Sequence, residues 1–323
     1  MKKKPKKNAA PSKNKAVASH QDNKAKGIIK YRYEIGLGII MVIAATAISY
    51  GISDPWRQGH EGTNGAFYSM IAKNHLDYGL LKTKFANVQN PLPVSPDQFG
   101  FYLNHPPLLS LLVALFFAIF GEHEWSARLV PILSSLASVA LVFLIGCELW
   151  GKRAGFIASA VFAANPMFLW YGHMVNFEPV TTFFALLMLL SYIRWIRGDS
   201  RYLWVLCGSI FLGGMTDWPT YFLVPLLALH YLVFSNQKKA LAFVPILAAM
   251  ATVGVFCLQV LWAGSKYFQA LADIYRFRTD LGAISKTITF SDLLKRLYEY
   301  GRNLFTLPLL IAGPAGFLAS LIK

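Results

Sequence analysis

A chain of 323 residues that is 55% hydrophobic and only 15% charged lacks the surface of a water-soluble domain, in which about a quarter of residues are charged. Its net charge of +15 is lopsided: residues 1–30 hold ten lysines and one acid, Asp22, which leaves +6 for the other 293 residues. A basic, aromatic-free tail beside an apolar run is a topology signal and an attraction to anionic lipid, not a nucleic-acid-binding module.

In chain order, residues 1–34 form a basic cytoplasmic tail without a folding pattern, and residues 35–323 a transmembrane domain. Residues 35–52 are charge-free apart from their flanks and make a first span. The preceding segment is too long for a signal-peptide n-region, so a retained anchor is expected. Residues 53–105 form a first outer loop. Within it, residues 64–80 read as an amphipathic helix, capped by Thr63 or Asn64 and ended by Gly79. Phe67, Tyr68, Ile71, Ala72, Leu76 and Leu80 share one face, so the helix can lie flat on the membrane. Residues 90–97, with three prolines, are an irregular loop.

Charge-free runs follow at 129–147, 156–171, 179–193 and 240–263, against the roughly 20 apolar residues that a span needs. Cations punctuate them at Lys152–Arg153, in 194–201 and at Lys238–Lys239, which the positive-inside rule puts in the cytoplasm. Residues 171–178, 216–219 and a second long loop, 264–303, then lie outside; that loop carries two short amphipathic stretches, around 268–275 and 293–305. A last apolar run covers 304–322. The expected fold is all-α, a polytopic bundle of about 8–9 spans with amphipathic helices in the first outer loop. One crossing does not close: residues 106–150 need an odd number of crossings yet contain two apolar runs, 108–120 and 129–147. Cys147, Cys207 and Cys257 sit in or beside apolar segments without metal spacing and read as packing residues.

Four polar clusters stand at the mouths of spans, where ionisable groups are costly and often functional. The first runs from Asp54 through Arg57 and His60 to Glu61; a carboxylate there suits a general base, or the segment is a solvated loop. The second is His105-Pro106-Pro107, with prolines that start a helix and a histidine where helix N–H groups favour anions. The third, Asn176-Phe177-Glu178-Pro179, reads equally as a cap and as a site. So does the fourth, Thr216-Asp217-Trp218-Pro219. The topology gathers their acids and His105 on one membrane face, which independent caps do not require.

In this order the motifs resemble a known family. They are Tyr68-Ser-Met-Ile71-Ala72-Lys-Asn74, His105-Pro106-Pro107-Leu108, Gly121-Glu-His-Glu124-Trp125-Ser-Ala127-Arg128-Leu129 and Asn176-Phe-Glu178-Pro179. From residue 35 to about 265 the chain is similar to the polytopic C-type glycosyltransferases of the family 39 kind, which include protein O-mannosyltransferases and lipid A aminoarabinose transferases. The resemblance implies a sugar donor on a polyprenyl phosphate, met at the outer face, and transfer with inversion and no covalent intermediate. It implies an acidic base in the first outer loop. Two positions depart from the pattern. The family's Asp-Glu pair before the amphipathic helix falls on Asn64-Gly65, and the nearest acid is Glu61, preceded by His60. The lysine that aminoarabinose transferases carry before the two prolines is His105, still able to donate to a phosphate oxygen.

The leading expectation is therefore a plasma-membrane, multi-pass glycosyltransferase with a lipid or glycan acceptor and no nucleic-acid partner. Glu61 is the expected base, with Asp54 second. His105 and Arg57 are expected to engage the donor phosphate, with His60 beside them. Glu178 and Asp217 are expected to orient sugar or acceptor, with Asn64 as a polar ligand. No cofactor is implied; Glu178 with Asp217 is too thin a ligand set to assign a metal, and a divalent ion stays open. The rivals are a transporter or flippase for the same lipids, against which the absence of an internal repeat counts, and a membrane scaffold whose catalytic site has decayed.

Overall fold

A computed structural model describes residues 31–279, 289–304, 311 and 315–316. The lysine-rich stretch 1–30 and most of the apolar run 304–322 lie outside the described residues.

The chain runs back and forth between two ends, and side-chain ties show which helix termini meet. Helix α1 (Arg32–Ile48) is clamped at both ends to α4 (Glu124–Trp150). Near the α1 C-terminus, Arg128 Nη1 donates to Ile52 O at 2.8 Å. Near its N-terminus, Glu34 pairs with Lys152, just past α4. The two helices are thus antiparallel, and the 27 residues of α4 extend about 40 Å, enough to cross a bilayer core of about 30 Å.

Between them, α2 (His60–Tyr78) and α3 (Leu108–Phe120) make no net crossing. The start of α3 meets the last turns of α2 where Ser110 Oγ lies 3.5 Å from His75 Nε2. Its far end meets them again where Lys73 Nζ reaches Glu122 at 2.8 Å. The 13-residue α3, about 20 Å long, packs against α2, and α4 is the described segment of 106–150 that is long and apolar enough to cross a membrane. Such an arrangement would satisfy the odd number of crossings that the sequence requires.

Helix α5 (Lys152–Ala163) turns back along α4, and the short α6 (Pro166–Tyr171) completes the return. The backbones touch: a Cβ on Gly146 would lie 2.5 Å from Gly155 Cα, so only glycine fits that crossing. Helix α7 (Phe177–Ile196) ends where Arg194 and Arg197 both meet Glu148, at 2.9 and 2.8 Å. Helix α8 (Arg201–Gly214) returns to the α3 start, where Leu108 N donates to Met215 O at 3.0 Å. A 3-10 turn (Trp218–Phe222), α9 (Leu223–Phe234) and α10 (Phe243–Ala263) complete the bundle, followed by α11 (Lys266–Thr279) and α12 (Phe290–Leu304).

Among the described residues, three segments are long and apolar enough to cross a membrane: Glu124–Trp150, Phe177–Ile196 and Lys239–Ala263. Leu108–Phe120 and Trp218–Phe234 are shorter apolar helices. The most apolar 18 residues of Lys239–Ala263 are only 22% buried, and Leu247, Met250, Leu258 and Leu261 stand exposed along the segment, an outer surface suited to lipid.

The segment between α2 and α3 holds a hairpin around the stretch where the prolines predict only an irregular loop. Strand β1 (Asn87–Val88) pairs antiparallel with β2 (Phe101–Tyr102). Asn74 Nδ2 holds the hairpin to α2 through Val88 O at 2.8 Å and Asn90 O at 3.0 Å. Tyr267 of α11 accepts from Phe101 N at 3.3 Å on the other side. The hairpin delivers the chain to His105.

Candidate active site at the polar end of the bundle

The two ends of the bundle differ in charge. One collects Lys152, Arg153, Arg194, Arg197, Arg201, Lys238 and Lys239, joined through Glu148 and through Gln237 Nε2 to Trp195 O. The other brings together Asp54, Glu61, His105, Glu178 and Asp217.

At that second end, the turn after α1 folds onto the start of α2 around Arg128. This guanidinium is 2% exposed. It donates to Ile52 O and Asp54 O at 2.8 and 2.6 Å, and to Glu61 Oε1 through Nε at 3.0 Å and Nη2 at 2.8 Å. Its flat face lies 4.1 Å from the centre of the Trp56 ring, a cation–π stack. Beyond Trp56 is Gly65, where an added Cβ would meet the indole at 2.2 Å. The space that a side chain at 65 would take is therefore filled by Trp56, and Glu61 is the acid that Arg128 meets. His173 stands beside Glu61 and Arg128. Burial pushes its imidazole below the usual histidine range, against an opposing pull from Glu61 and with a smaller push from the Arg128 charge. Its buried Nδ1 has no hydrogen-bond partner among the described residues.

Next to this turn, His105 Nδ1 lies 2.8 Å from Asp217 Oδ1, both side chains 15% exposed. The imidazole stacks on Phe177, ring centres 4.3 Å apart, and packs near Tyr102. Tyr68 meets Phe177 edge-on, and burial raises its phenol above the usual range, reinforced by Tyr102, Asp217 and Glu178. Glu178, at the α7 N-terminus, is exposed and pairs with no Lys or Arg among the described residues. It lines a cavity of about 220 Å³ walled mainly by apolar groups, among them Phe162, Phe168 and Tyr171. His60 packs edge-on against Tyr171 of that wall.

The sequence-predicted residues thus divide. His60, Glu61, His105, Glu178 and Asp217 gather at one end. Asp54 and Arg57 pair with each other at 3.1 Å on the exposed turn, with 52% and 74% exposure. The capping role expected of Thr63 or Asn64 is corrected: α2 begins at His60 after Gly59, whose φ of 122° breaks the chain direction one turn earlier, and Asn64 is an interior helix residue. Asn176 occupies the α7 N-cap position without a side-chain cap bond. Asp217 does cap, accepting from Trp218 N at 2.8 Å. Arg128, Trp56 and His173 were missed as site residues. A single cation in the opening turns of a long apolar helix was the available signal for Arg128. Among the described residues no group of three or more His, Cys, Asp or Glu is placed to hold a metal ion.

The chain is thus a helical membrane bundle with carboxylates and histidines beside a largely apolar cavity, and comparison shows what it is similar to. The family model for dolichyl-phosphate-mannose-protein mannosyltransferase matches residues 104–262. The putative mannosyltransferase YkcB of Bacillus subtilis is 25% identical over 233 residues, 70% of this chain and 31% of that protein. The undecaprenyl phosphate-alpha-4-amino-4-deoxy-L-arabinose arabinosyl transferase of Pseudomonas aeruginosa is 26% identical over 226 residues, 66% of this chain and 40% of that protein. Among solved structures, ArnT from Cupriavidus metallidurans bound to undecaprenyl phosphate superposes with a TM-score of 0.54 at 15% identity, over 68% of this chain and 41% of that one. The oligosaccharyltransferase of Archaeoglobus fulgidus in its apo form gives 0.52 at 16% identity, over 71% and 29%. The chain shares the fold of these membrane transferases, resembles the mannosyltransferase family over residues 104–262, and is a multi-pass membrane protein. It spans well under half the length of the curated relatives it matches.

Proposed function

We propose that the protein transfers a sugar from a polyprenyl-phosphate donor to an acceptor hydroxyl, with inversion, at the outer face of the plasma membrane. The supporting observation is the gathering of Glu61, Glu178, His60 and the His105–Asp217 pair beside an apolar cavity, at the end opposite the basic connections. The positive-inside rule assigns those connections to the cytoplasm. A long isoprenoid stays in lipid, so its sugar has to be met at the mouth of the bundle. The relatives named for undecaprenyl phosphate and for mannosyl transfer support the same chemistry.

In this reading the acceptor oxygen attacks the anomeric carbon as the bond to the phosphate oxygen breaks, and polyprenyl phosphate leaves. Glu61 takes the hydroxyl proton. Both Arg128 bonds land on its Oε1, so Oε2 is available to the acceptor. Glu178 stands beside Asp54 as a candidate second carboxylate: Glu178 lines the cavity, while Asp54 sits on the exposed turn. His105, with Nδ1 engaged by Asp217, offers Nε2 to the phosphate. The exposed Arg57–Asp54 pair contributes little, about 0–1 kcal/mol, so Arg57 is readily exchanged onto phosphate. Asp217 orients His105, and His60 and Asn64 supply polar contacts to sugar or acceptor.

The test is transfer of radiolabelled sugar from a polyprenyl phosphate by the purified protein in lipid nanodiscs. Wild-type protein moves label to an acceptor, and Glu61→Gln slows it by about 10²-fold or more, the usual range for a general base. Full activity in that variant would remove Glu61 from the role, and no transfer by the wild type with any donor would sink the reading.

A further inference from the structure

We infer that Arg128 is a positioning residue that locks the turn of residues 52–61 onto α2, so that Glu61 presents a fixed carboxylate. The inference rests on the proposed role of Glu61 and adds to it the device that holds that acid in place. A guanidinium that is 2% exposed has been taken wholly out of water, which is tolerated only when its donors are satisfied. Its hydrogen bonds go to one short segment: two backbone carbonyls that close the turn, Ile52 O and Asp54 O, and the carboxylate of Glu61. Trp56, from the middle of that same segment, covers the guanidinium face. Arg128 itself stands on α4, clamped to the rest of the bundle, so it transmits the position of a rigid helix to a loop.

The other wall is α2. At Gly62 an added Cβ would fall 1.7 Å from Arg57 O, and at Gly65 one would strike the Trp56 ring. Two glycines one turn apart thus let the segment lie against the helix. This explains why Gly65 occupies a place where the resemblance leads one to expect an acid: a side chain at 65 would displace Trp56 from Arg128. Arg128 is engaged on all sides by the turn, by Trp56 and by Glu61, so its influence on the reacting hydroxyl passes through Glu61.

Arg128→Lys keeps the charge but loses the planar fork that serves three acceptors. Gly65→Ala changes no ionisable group and displaces Trp56 sterically. Two readouts separate this inference from the functional reading beneath it. Hydrogen exchange of residues 52–62, measured on intact protein in nanodiscs, is independent of activity. Both variants are expected to speed exchange there by about tenfold or more, with α7 and α8 unchanged; unchanged exchange over 52–62 would overturn the lock even if transfer failed for every protein tested. In transfer assays, Arg128→Lys is expected to lower kcat by about tenfold with donor KM within about twofold. In combination with Glu61→Gln it is expected to be no slower than Glu61→Gln alone. Losses that multiply in the double variant would show that Arg128 acts independently of Glu61 and would overturn the inference. Should Arg128→Lys fail to fold, Gly65→Ala combined with Glu61→Gln carries the same test.

Discussion

Asp217 carries two duties at once. Its Oδ1 lies 2.8 Å from His105 Nδ1 and also accepts from Trp218 N at 2.8 Å, so one carboxylate oxygen both orients an imidazole and starts the 3-10 turn between α8 and α9. Removing it loses a cap, worth about 1 kcal/mol, and frees the imidazole to rotate. Asp217→Ala and His105→Ala are therefore expected to raise the donor KM by about tenfold each, with a smaller change in kcat, and the double variant to be little worse than either single one. Only Asp217→Ala is expected to lower thermal stability through the lost cap. Steady-state kinetics and melting in detergent check the pair, and fully additive losses would refute the idea that the two residues act as a unit. Glu61 and His105 were legible as site candidates because titratable groups at span mouths are conspicuous in an apolar chain. Arg128 was not, since nothing in sequence links residue 128 to a carbonyl at 52.

At the scale of elements, α2 and the hairpin show which signals survive folding. The apolar face read from periodicity is real where it meets α3: Tyr68, Ile71 and Ala72 are buried with Leu109, Val113 and Phe117. Leu76 and Leu80, read onto the same face, are exposed, because the hairpin and the turn at 79–86 claim the polar side of the last α2 turns instead. That turn is built on paired backbone contacts that sequence does not advertise: Gln259 Nε2 donates to Phe85 O at 2.6 Å, next to Lys84 and Phe85 at φ of 57° and 53°. The buried titratable side chain here is His75, 1% exposed, with Nδ1 2.9 Å from Thr83 Oγ1 and its imidazole pushed down to about 4 by burial. The unfolded value is about 6.5, so between those two values the unfolded chain binds more protons than the native one. Stability is then at its plateau above pH ~7 and falls as pH drops from ~6.5 toward ~4, by at most about 3 kcal/mol from this one group. His173, also depressed by burial, adds to the loss on the same side. Melting temperatures in detergent at pH 7.5 and pH 5 are expected to fall on acidification, and to fall less in His75→Gln. An equal drop in that variant would move the effect elsewhere.

For the whole molecule, hydropathy located the apolar segments but could not count crossings, because a 13-residue run and a long span look alike when only their composition is read. The missing information is three-dimensional: Arg128 meeting Ile52 at one end and Lys152 meeting Glu34 at the other. With those ties, α1 and α4 are opposed, and everything from α2 through α3 belongs to one side. The charge asymmetry then acquires a consequence. Because the cations at 152–153, 194–201 and 238–239 all lie at the opposite end from Glu61, a single orientation satisfies the positive-inside rule for these three connections, and under the proposed function that orientation sets the side on which the sugar would be met. Single cysteines in a background lacking Cys147, Cys207 and Cys257 report it directly. Gln58→Cys and Glu122→Cys, both at exposed positions, are expected to react with a membrane-impermeant maleimide in intact cells. Ser200→Cys, exposed at the basic end, is expected to react only after permeabilisation. Glu122 is the decisive position: labelling on the same side as Ser200 would make α3 a true span, reverse every later helix relative to α1, and separate Glu61 from Glu178 and Asp217 by the thickness of the bilayer.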